Sequence, residues 1–211
     1  MRKIVKAIVG ITAAGVLATS VAACSSSSTS VKPVAKIDSL TGQSTSVALD
    51  AGFANALTTL KLTPGLVGTA TMPQKGTLTF PITGGHVTVY PKGKVTPYVQ
   101  GDIKHDGSGL SLTGGSTKVE LTNFEIDPGN NSKLYGDVSV NGASKAKHAD
   151  LFTLDGSTLK PITVSGNVAT LTGTRVLVSA TAAGLLDKVF KTTAVKAGLL
   201  VGVATLLVNL K

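Results

Sequence analysis

The sequence predicts a mainly β fold, an antiparallel β-sandwich or barrel-like domain with two short α-helices. Turn signals such as Gly84-Gly85, Asn141-Gly142 and Asp155-Gly156 recur about every ten residues, which is typical of antiparallel sheets. Between the turns, apolar and polar residues alternate with the period of a strand that has one buried face. Threonine and glycine are abundant, with 28 and 24 of the 211 residues, and they favour strands and turns over a helical bundle.

The first 24 residues have the pattern of a secretory signal. Arg2, Lys3 and Lys6 precede an uncharged apolar stretch at 7–18, which is shorter than the roughly 20 residues of a membrane span. The segment Val21-Ala22-Ala23-Cys24 resembles a bacterial lipobox. This resemblance implies cleavage between Ala23 and Cys24 and a diacylglyceryl group on Cys24, the single cysteine. We therefore expect a lipoprotein signal peptide at 1–23 and an outward-facing protein, lipid-anchored in the cell membrane.

A flexible tether and a short helix are expected next. The polar run at 25–30 is rich in serine and buries little, so we expect residues 24–46 to form a Ser/Thr-rich tether and residues 47–211 to form the β-rich envelope domain. Leu49, Phe53, Leu57 and Leu60 follow helical spacing, with Ser46 as the expected N-cap.

The period then changes to two, and the turn signals divide the chain into strands. The predicted strands are Leu66–Met72, Thr77–Ile82, His86–Tyr90, Val95–Ile103, Gly109–Leu112, Lys118–Ile126, Lys133–Val140, Leu151–Leu154 and Asn167–Val178.

The end of the chain predicts a second helix and a buried strand. Residues 179–191 return to helical spacing, and Leu199–Leu210 is almost wholly apolar, as in a strand buried on both faces. Leu200–Leu206 repeats five of the seven residues of Leu66–Met72. Because a helical pattern precedes each copy, the sequence indicates two equivalent helix–strand units.

Charge and composition restrict the partners. The chain has 20 basic and 11 acidic residues; without the three basic residues of the predicted signal, 17 face 11, a net charge of +6. Sixteen of the 17 are lysines that are scattered singly, whereas phosphate recognition commonly uses arginine or basic clusters. We expect the membrane, a cell-wall polymer or an envelope protein as partner, and no nucleic acid.

The sequence contains no recognisable catalytic or metal-ligating pattern. His86, His105 and His148 match no metal-ligand spacing, and one cysteine excludes an intrachain disulfide or a cysteine-based zinc cluster. Ser157 and Lys160 match the Ser-x-x-Lys pattern, but the flanking Gly156 and Pro161 place it in a turn rather than at a helix start. The sequence therefore predicts neither an enzyme nor a metal site.

The segment Gly101–Leu112, with Phe80–Gly85 before it and Leu121–Asp127 and Leu134–Val138 after it, resembles the HtaA-type surface domain of actinobacteria. The resemblance covers roughly 66–190 and implies a β-rich module; some members of this family bind haem through a tyrosine and a histidine. It implies that His105, at the family's histidine position, is a candidate ligand.

At the helix position where the family's tyrosine would follow Phe190, this chain has Lys191. We therefore expect His105 to lie in a surface turn at His105-Asp106-Gly107, no cofactor, and no tight haem binding. The predicted function is that of a cell-envelope lipoprotein whose non-catalytic domain binds or scaffolds at the membrane–wall interface. The alternative is a haem- or small-ligand-binding protein of an uptake system.

Overall fold

The computed structural model describes residues 30–210, in which thirteen strands form one antiparallel sheet. The predicted mainly β fold with two short helices is confirmed. The strands are β1 Ala35–Ile37, β2 Ser44–Leu49, β3 Thr63–Gly68, β4 Thr71–Gln74, β5 Thr77–Pro81, β6 Gly84–Val89, β7 Val99–Gly114, β8 Thr117–Asp127, β9 Lys133–Val140, β10 Ala143–Asp155, β11 Thr163–Ser165, β12 Val168–Val178 and β13 Leu200–Asn209.

The sheet curves until its ends approach each other. Its order is β1-β6-β7-β8-β9-β10-β12-β13-β2-β5-β4, with β3 paired to β7 and β11 paired to β12. The consecutive strands β5 and β6 therefore lie near opposite ends of this order. The link between them contacts both sides, because Ile82 N–H donates to Gln43 C=O at 3.0 Å and Thr83 N–H donates to Lys104 C=O at 2.8 Å. These bonds form the seam of a barrel-like sheet.

Two helices lie at one end of this sheet, α1 Ala51–Thr59 and α2 Ala180–Phe190. Each begins at a capping side chain: Asp50 Oδ1 accepts from Gly52 N at 2.8 Å, and Ser179 Oγ accepts from Ala182 N at 3.0 Å. Asp50 replaces the expected cap Ser46, which lies in β2 and bonds Thr79 Oγ1 at 2.9 Å.

Apolar residues of both helices close this end of the sheet. Leu57 of α1 and Ala182 and Leu186 of α2 are buried and face a small apolar gap of about 50 Å³ that Val178 and Val201 line from the sheet. We call this the closed end. The opposite ends of β12 and β13 form the open end.

The predicted tether is wrong from Ala35 onward. β1 pairs with β6, and β2 pairs with β5 and β13. Leu40, which lies between β1 and β2 in the sequence, is 1% exposed. The ordered domain therefore begins about twelve residues before the expected boundary at 47. The alternation of apolar and polar residues is weak here because β1 has only three residues and β2 begins with serine and threonine. The signal peptide and Cys24 lie outside the described residues.

The predicted C-terminal strand is present, but one of its faces is partly exposed at Val203, and its sequence echo is partly reproduced. β13 lies between β12 and β2, and Val201, Ala204 and Leu206 are buried. The related segment Leu66–Met72 also follows a helix, but it is divided between β3 and β4 because Gly68 adopts a left-handed φ of +61°. Within residues 30–210, no helix has the combination of length and apolarity that crossing a bilayer requires.

Candidate ligand-binding site

The barrel-like sheet encloses a cavity of about 660 Å³ that opens at the end opposite the helices. Its size falls in the range of small-molecule sites, about 300–1,000 Å³. Alternate residues of most strands point into it, so its wall is mainly Val, Leu, Ile and Phe, and none of the described lining residues is Asp, Glu, Lys or Arg. Such a wall favours an apolar ligand because a buried charge would find no partner here.

Three phenylalanines form an aromatic cluster in the cavity wall. Phe124 contacts Phe80 edge to face, with ring centroids 5.3 Å apart, and contacts Phe152 with centroids 6.5 Å apart. Edge-to-face contacts of this kind give such rings a fixed geometry. The cluster is one side of a preformed surface that a planar or chain-like apolar molecule could contact.

His105 is the one ionisable imidazole in the cavity wall, and it is 1% exposed. The expected surface turn at His105-Asp106-Gly107 is wrong, because β7 runs without a break from Val99 to Gly114. In place of a turn there is a bulge between His105 and Gly109, where the register against β8 shifts. Turn residues within a strand are compatible with such a bulge, which explains why the sequence indicated a loop.

The bulge is fixed by side chains from the β5–β6 link and from β8. Thr83 Oγ1 accepts from Asp106 N at 2.8 Å, and Asn123 Oδ1 accepts from Gly107 N at 2.9 Å. Thr83 Oγ1 also donates to the carboxylate of Asp106 at 3.3 Å. The Asp106 carboxylate is therefore engaged outside the cavity, and it makes no hydrogen bond to the His105 ring.

Both nitrogens of His105 have partners. Nδ1 lies 3.2 Å from Phe124 C=O, and Nε2 lies 2.8 Å from Thr45 Oγ1. Because a carbonyl only accepts, Nδ1 carries the proton and Nε2 accepts from the Thr45 hydroxyl. Burial lowers the pKa of His105 to about 4, so the ring is neutral at pH 7.

This hydroxyl–imidazole pair has the spacing of a nucleophile and its base. The base is a weak one, however, because a pKa of about 4 is far from neutral pH. Its second nitrogen faces a backbone carbonyl rather than a carboxylate. The arrangement fixes the ring and its tautomer, which is what a binding site needs from a buried histidine.

The other residues singled out in the sequence do not join this site. His86 is exposed beside Asp102, with Nδ1 and Oδ1 2.7 Å apart, and His148 stacks on Tyr135 with centroids 4.4 Å apart. Ser157 Oγ donates to the carboxylate of Asp155 at 3.0 Å rather than to Lys160. Across the described chain, no three His, Cys, Asp or Glu side chains converge as metal ligands. Ala23 and Cys24 lie outside the described residues.

The sequence indicates His105 but not its surroundings. Thr45 falls within the predicted tether, and Leu159, Ile162 and Val164 at the open end have no predicted role, yet all of them line the cavity. The alternation of apolar residues in the strands indicated which side chains share a face, but a cavity depends on how far the sheet curves. Its curvature follows from pairings between distant strands, such as β2 with β13.

No protein-family model and no curated protein sequence matches this chain. Among solved structures, the C-terminal domain of HtaA from Corynebacterium glutamicum matches with a TM-score of 0.56 and 17% identity, over 82% of this chain and 99% of that one. The heme-binding protein HtaB from the same organism matches with a TM-score of 0.52 and 13% identity, over 82% and 95%. At these identities the likeness establishes one thing: this chain has the fold of the HtaA-type β-domains.

Proposed function

We propose that this chain is a non-catalytic binding protein of the cell envelope, and that it holds an apolar small molecule inside its barrel-like sheet. The observation that carries the proposal is the open cavity of about 660 Å³, walled by uncharged residues and supplied with one buried, fully hydrogen-bonded histidine. A preformed apolar pocket with few convergent polar groups is the usual form of a small-ligand site. The alternative raised by the sequence is therefore preferred over a scaffold.

Haem is the first ligand to test, because a solved structure of the same fold is a heme-binding protein. The cavity's volume and apolar wall suit a macrocycle, and His105 is held in the neutral, Nδ1-protonated tautomer that leaves Nε2 as the donor atom. Nε2 now accepts from Thr45, so ligation of iron requires that hydroxyl to rotate away. Haem would be a ligand that the protein binds and carries, and the protein would catalyse no reaction on it.

The proposed location rests on the resemblance of Val21-Ala22-Ala23-Cys24 to a lipobox. We propose that Cys24 carries the lipid that keeps the domain on the outer side of the cell membrane, where a binding protein of an uptake system collects or passes on its ligand. Two acyl chains give stable anchoring, whereas a single chain is marginal.

The test is a binding titration with a blocked cavity and a matched control. Ala169 lines the cavity near its opening, and the adjacent Thr170 does not, since neighbouring strand residues face opposite sides. We expect haem, followed by its Soret absorbance, and the uncharged dye N-phenylnaphthylamine to bind the wild type and Thr170→Trp but not Ala169→Trp. Failure of both compounds to bind the wild type, or equal binding by the two variants, would refute the proposal.

A further inference from the structure

Apolar side chains are concentrated around the open end of the cavity. Val34, Ile162 and Val164 are 66%, 57% and 59% exposed. Six of the ten large apolar residues exposed in the described chain lie here: Val34, Tyr98, Leu159, Ile162, Val164 and Leu210. We call these six residues the rim. Exposed apolar residues that are grouped rather than scattered mark an interaction surface.

The polypeptide enters the domain at this rim. Val34 N–H donates to Val89 C=O at 2.7 Å. Val89 lines the cavity, and so does Ala35, the residue that follows Val34. Val34 is ten residue steps from Cys24, and a chain of that length spans at most about 35 Å. A lipid on Cys24 would therefore hold the open end, rather than the closed end, nearer to the bilayer.

The charge around the rim is positive. Lys160 stands between Leu159 and Ile162, Lys92 and Lys94 lie in the loop that leads to Tyr98, and Lys32 precedes Val34. None of these four lysines has an ion-pair partner within residues 30–210. On the acidic side, Asp155 is paired with Arg175 at 2.9 Å and Asp38 is paired with Lys36 at 2.5 Å, and Asp127 lies at the end of β8.

We propose that the rim docks on an anionic lipid bilayer, so that the cavity opens into the headgroup region and exchanges its ligand with the lipid phase. Apolar side chains at the surface of a peripheral protein enter the boundary of the acyl chains, and lysines beside them are attracted to anionic headgroups. The rim has both features in one place. This inference goes beyond the proposed function, which concerns only what the cavity holds.

The chain contains no tryptophan, so one introduced tryptophan reports on one position. The full-length protein, purified from its membranes, is reconstituted into vesicles of phosphatidylcholine and phosphatidylglycerol whose acyl chains are brominated. Ile162→Trp and Val34→Trp place the reporter on two sides of the opening, and Asn55→Trp places it on the exposed face of α1 at the closed end. No haem or dye is added, so the result is independent of ligand binding.

We expect bromine quenching at Ile162→Trp and Val34→Trp to be at least about twofold stronger than at Asn55→Trp, because docking side chains enter the boundary by about 5–10 Å. Equal quenching at all three positions would overturn the proposal. Quenching at Ile162→Trp alone would also overturn it, since Val34 does not line the cavity and that pattern would report lipid uptake without docking. Unchanged quenching without phosphatidylglycerol, or in Ile162→Trp combined with Lys160→Glu, would overturn the assignment to anionic lipid.

Discussion

His105 lies in a strand and not in the exposed turn that the sequence predicts. It is buried, and both of its ring nitrogens are hydrogen-bonded. Its neighbours impose one tautomer and one orientation. The burial of the ring makes it sensitive to acid, because protonation of Nε2 would place a charge in an apolar wall.

The first prediction is a loss of stability in acid that depends on His105. The unfolded chain binds the proton at a pKa near 6.5 and the folded chain at about 4, so stability is complete above 6.5 and is lost as the pH falls toward 4. The full effect is about 3 kcal/mol. Urea unfolding of wild type and His105→Gln between pH 4 and 7.5 would measure it. A variant whose stability varies with pH as much as the wild type would contradict the assignment.

The second prediction concerns Thr45. Thr45→Val keeps the shape of the side chain but removes the hydroxyl that Nε2 accepts from, and it should cost about 1–2 kcal/mol of folding stability. If haem is bound through His105, freeing Nε2 should tighten the binding about tenfold, the equivalent of 1.4 kcal/mol. Thr45→Ser, which retains the hydroxyl, is the control in a Soret titration. Equal affinity in the two variants would exclude Nε2 as the iron ligand.

At the scale of elements, β3 approaches the β7 bulge so closely that position 68 has no room for a side chain. A Cβ on Gly68 would lie 1.8 Å from Gly107 O, and Gly68 also has a left-handed φ of +61°. Gly76 shares the left-handed conformation, with φ +79°, but a Cβ there meets open space. A comparison of substitutions at Gly68 and Gly76 therefore separates the cost of backbone strain from the cost of a steric clash.

The third prediction follows from this pair. Gly68→Ala and Gly76→Ala each incur the left-handed penalty of roughly 1–2 kcal/mol, and Gly68→Ala should lose several kcal/mol more because backbone atoms must shift. Thermal unfolding of both variants measures the difference. Similar losses in the two would mean that β3 moves away from the bulge at little cost.

The fourth prediction is that β13 cannot be removed. It pairs with β12 and β2 and buries Val201, Ala204 and Leu206. Burial of one Val or Leu contributes about 1.5–3 kcal/mol, against a total stability near 5–15 kcal/mol. Deletion of 199–211 should abolish cooperative unfolding in urea, whereas deletion of 25–30, which precedes β1, should not. A cooperative transition in the first truncation would show that β13 is dispensable.

The elements that the sequence predicted well are those with a strong local signal. β8, β9 and β12 alternate, β13 is almost wholly apolar, and α2 has both helical spacing and Ser179 as its cap. The errors arose where distant pairing overrides local pattern. β1 is ordered by β6, and β7 continues through Asp106-Gly107 because Thr83 and Asn123 hold its bulge. The burial of His105 was equally invisible, since Thr45 lies 60 residues away.

For the whole molecule, the two ends of the sheet have different roles. Helices α1 and α2 close one end with apolar packing, and the other end leaves the cavity open beside the entry of the chain. A protein with a ligand in such a cavity gains stability from it, by about 2.7 kcal/mol at a ligand concentration 100 times the dissociation constant.

The fifth prediction is that Cys24 determines where the protein is found. Cys24→Ala removes the thiol that the lipid would modify, so the variant should carry no labelled fatty acid and should leave the membrane fraction or stay uncleaved. Metabolic labelling with a radioactive fatty acid, followed by fractionation, checks both outcomes. Equal labelling of wild type and variant would place the lipid elsewhere.

The pairing of β2 with β13 also has a consequence for biosynthesis. Leu49 is opposite Gly202, so a strand from the beginning of the domain takes its partner from the last ten residues described. Because the chain is made from its N-terminus, β2 has an unsatisfied edge until β13 has been synthesised. A sheet that closes through strands so distant in the sequence keeps the growing chain incompletely folded for longer, which is the state that an export channel would require of a protein with the proposed signal peptide.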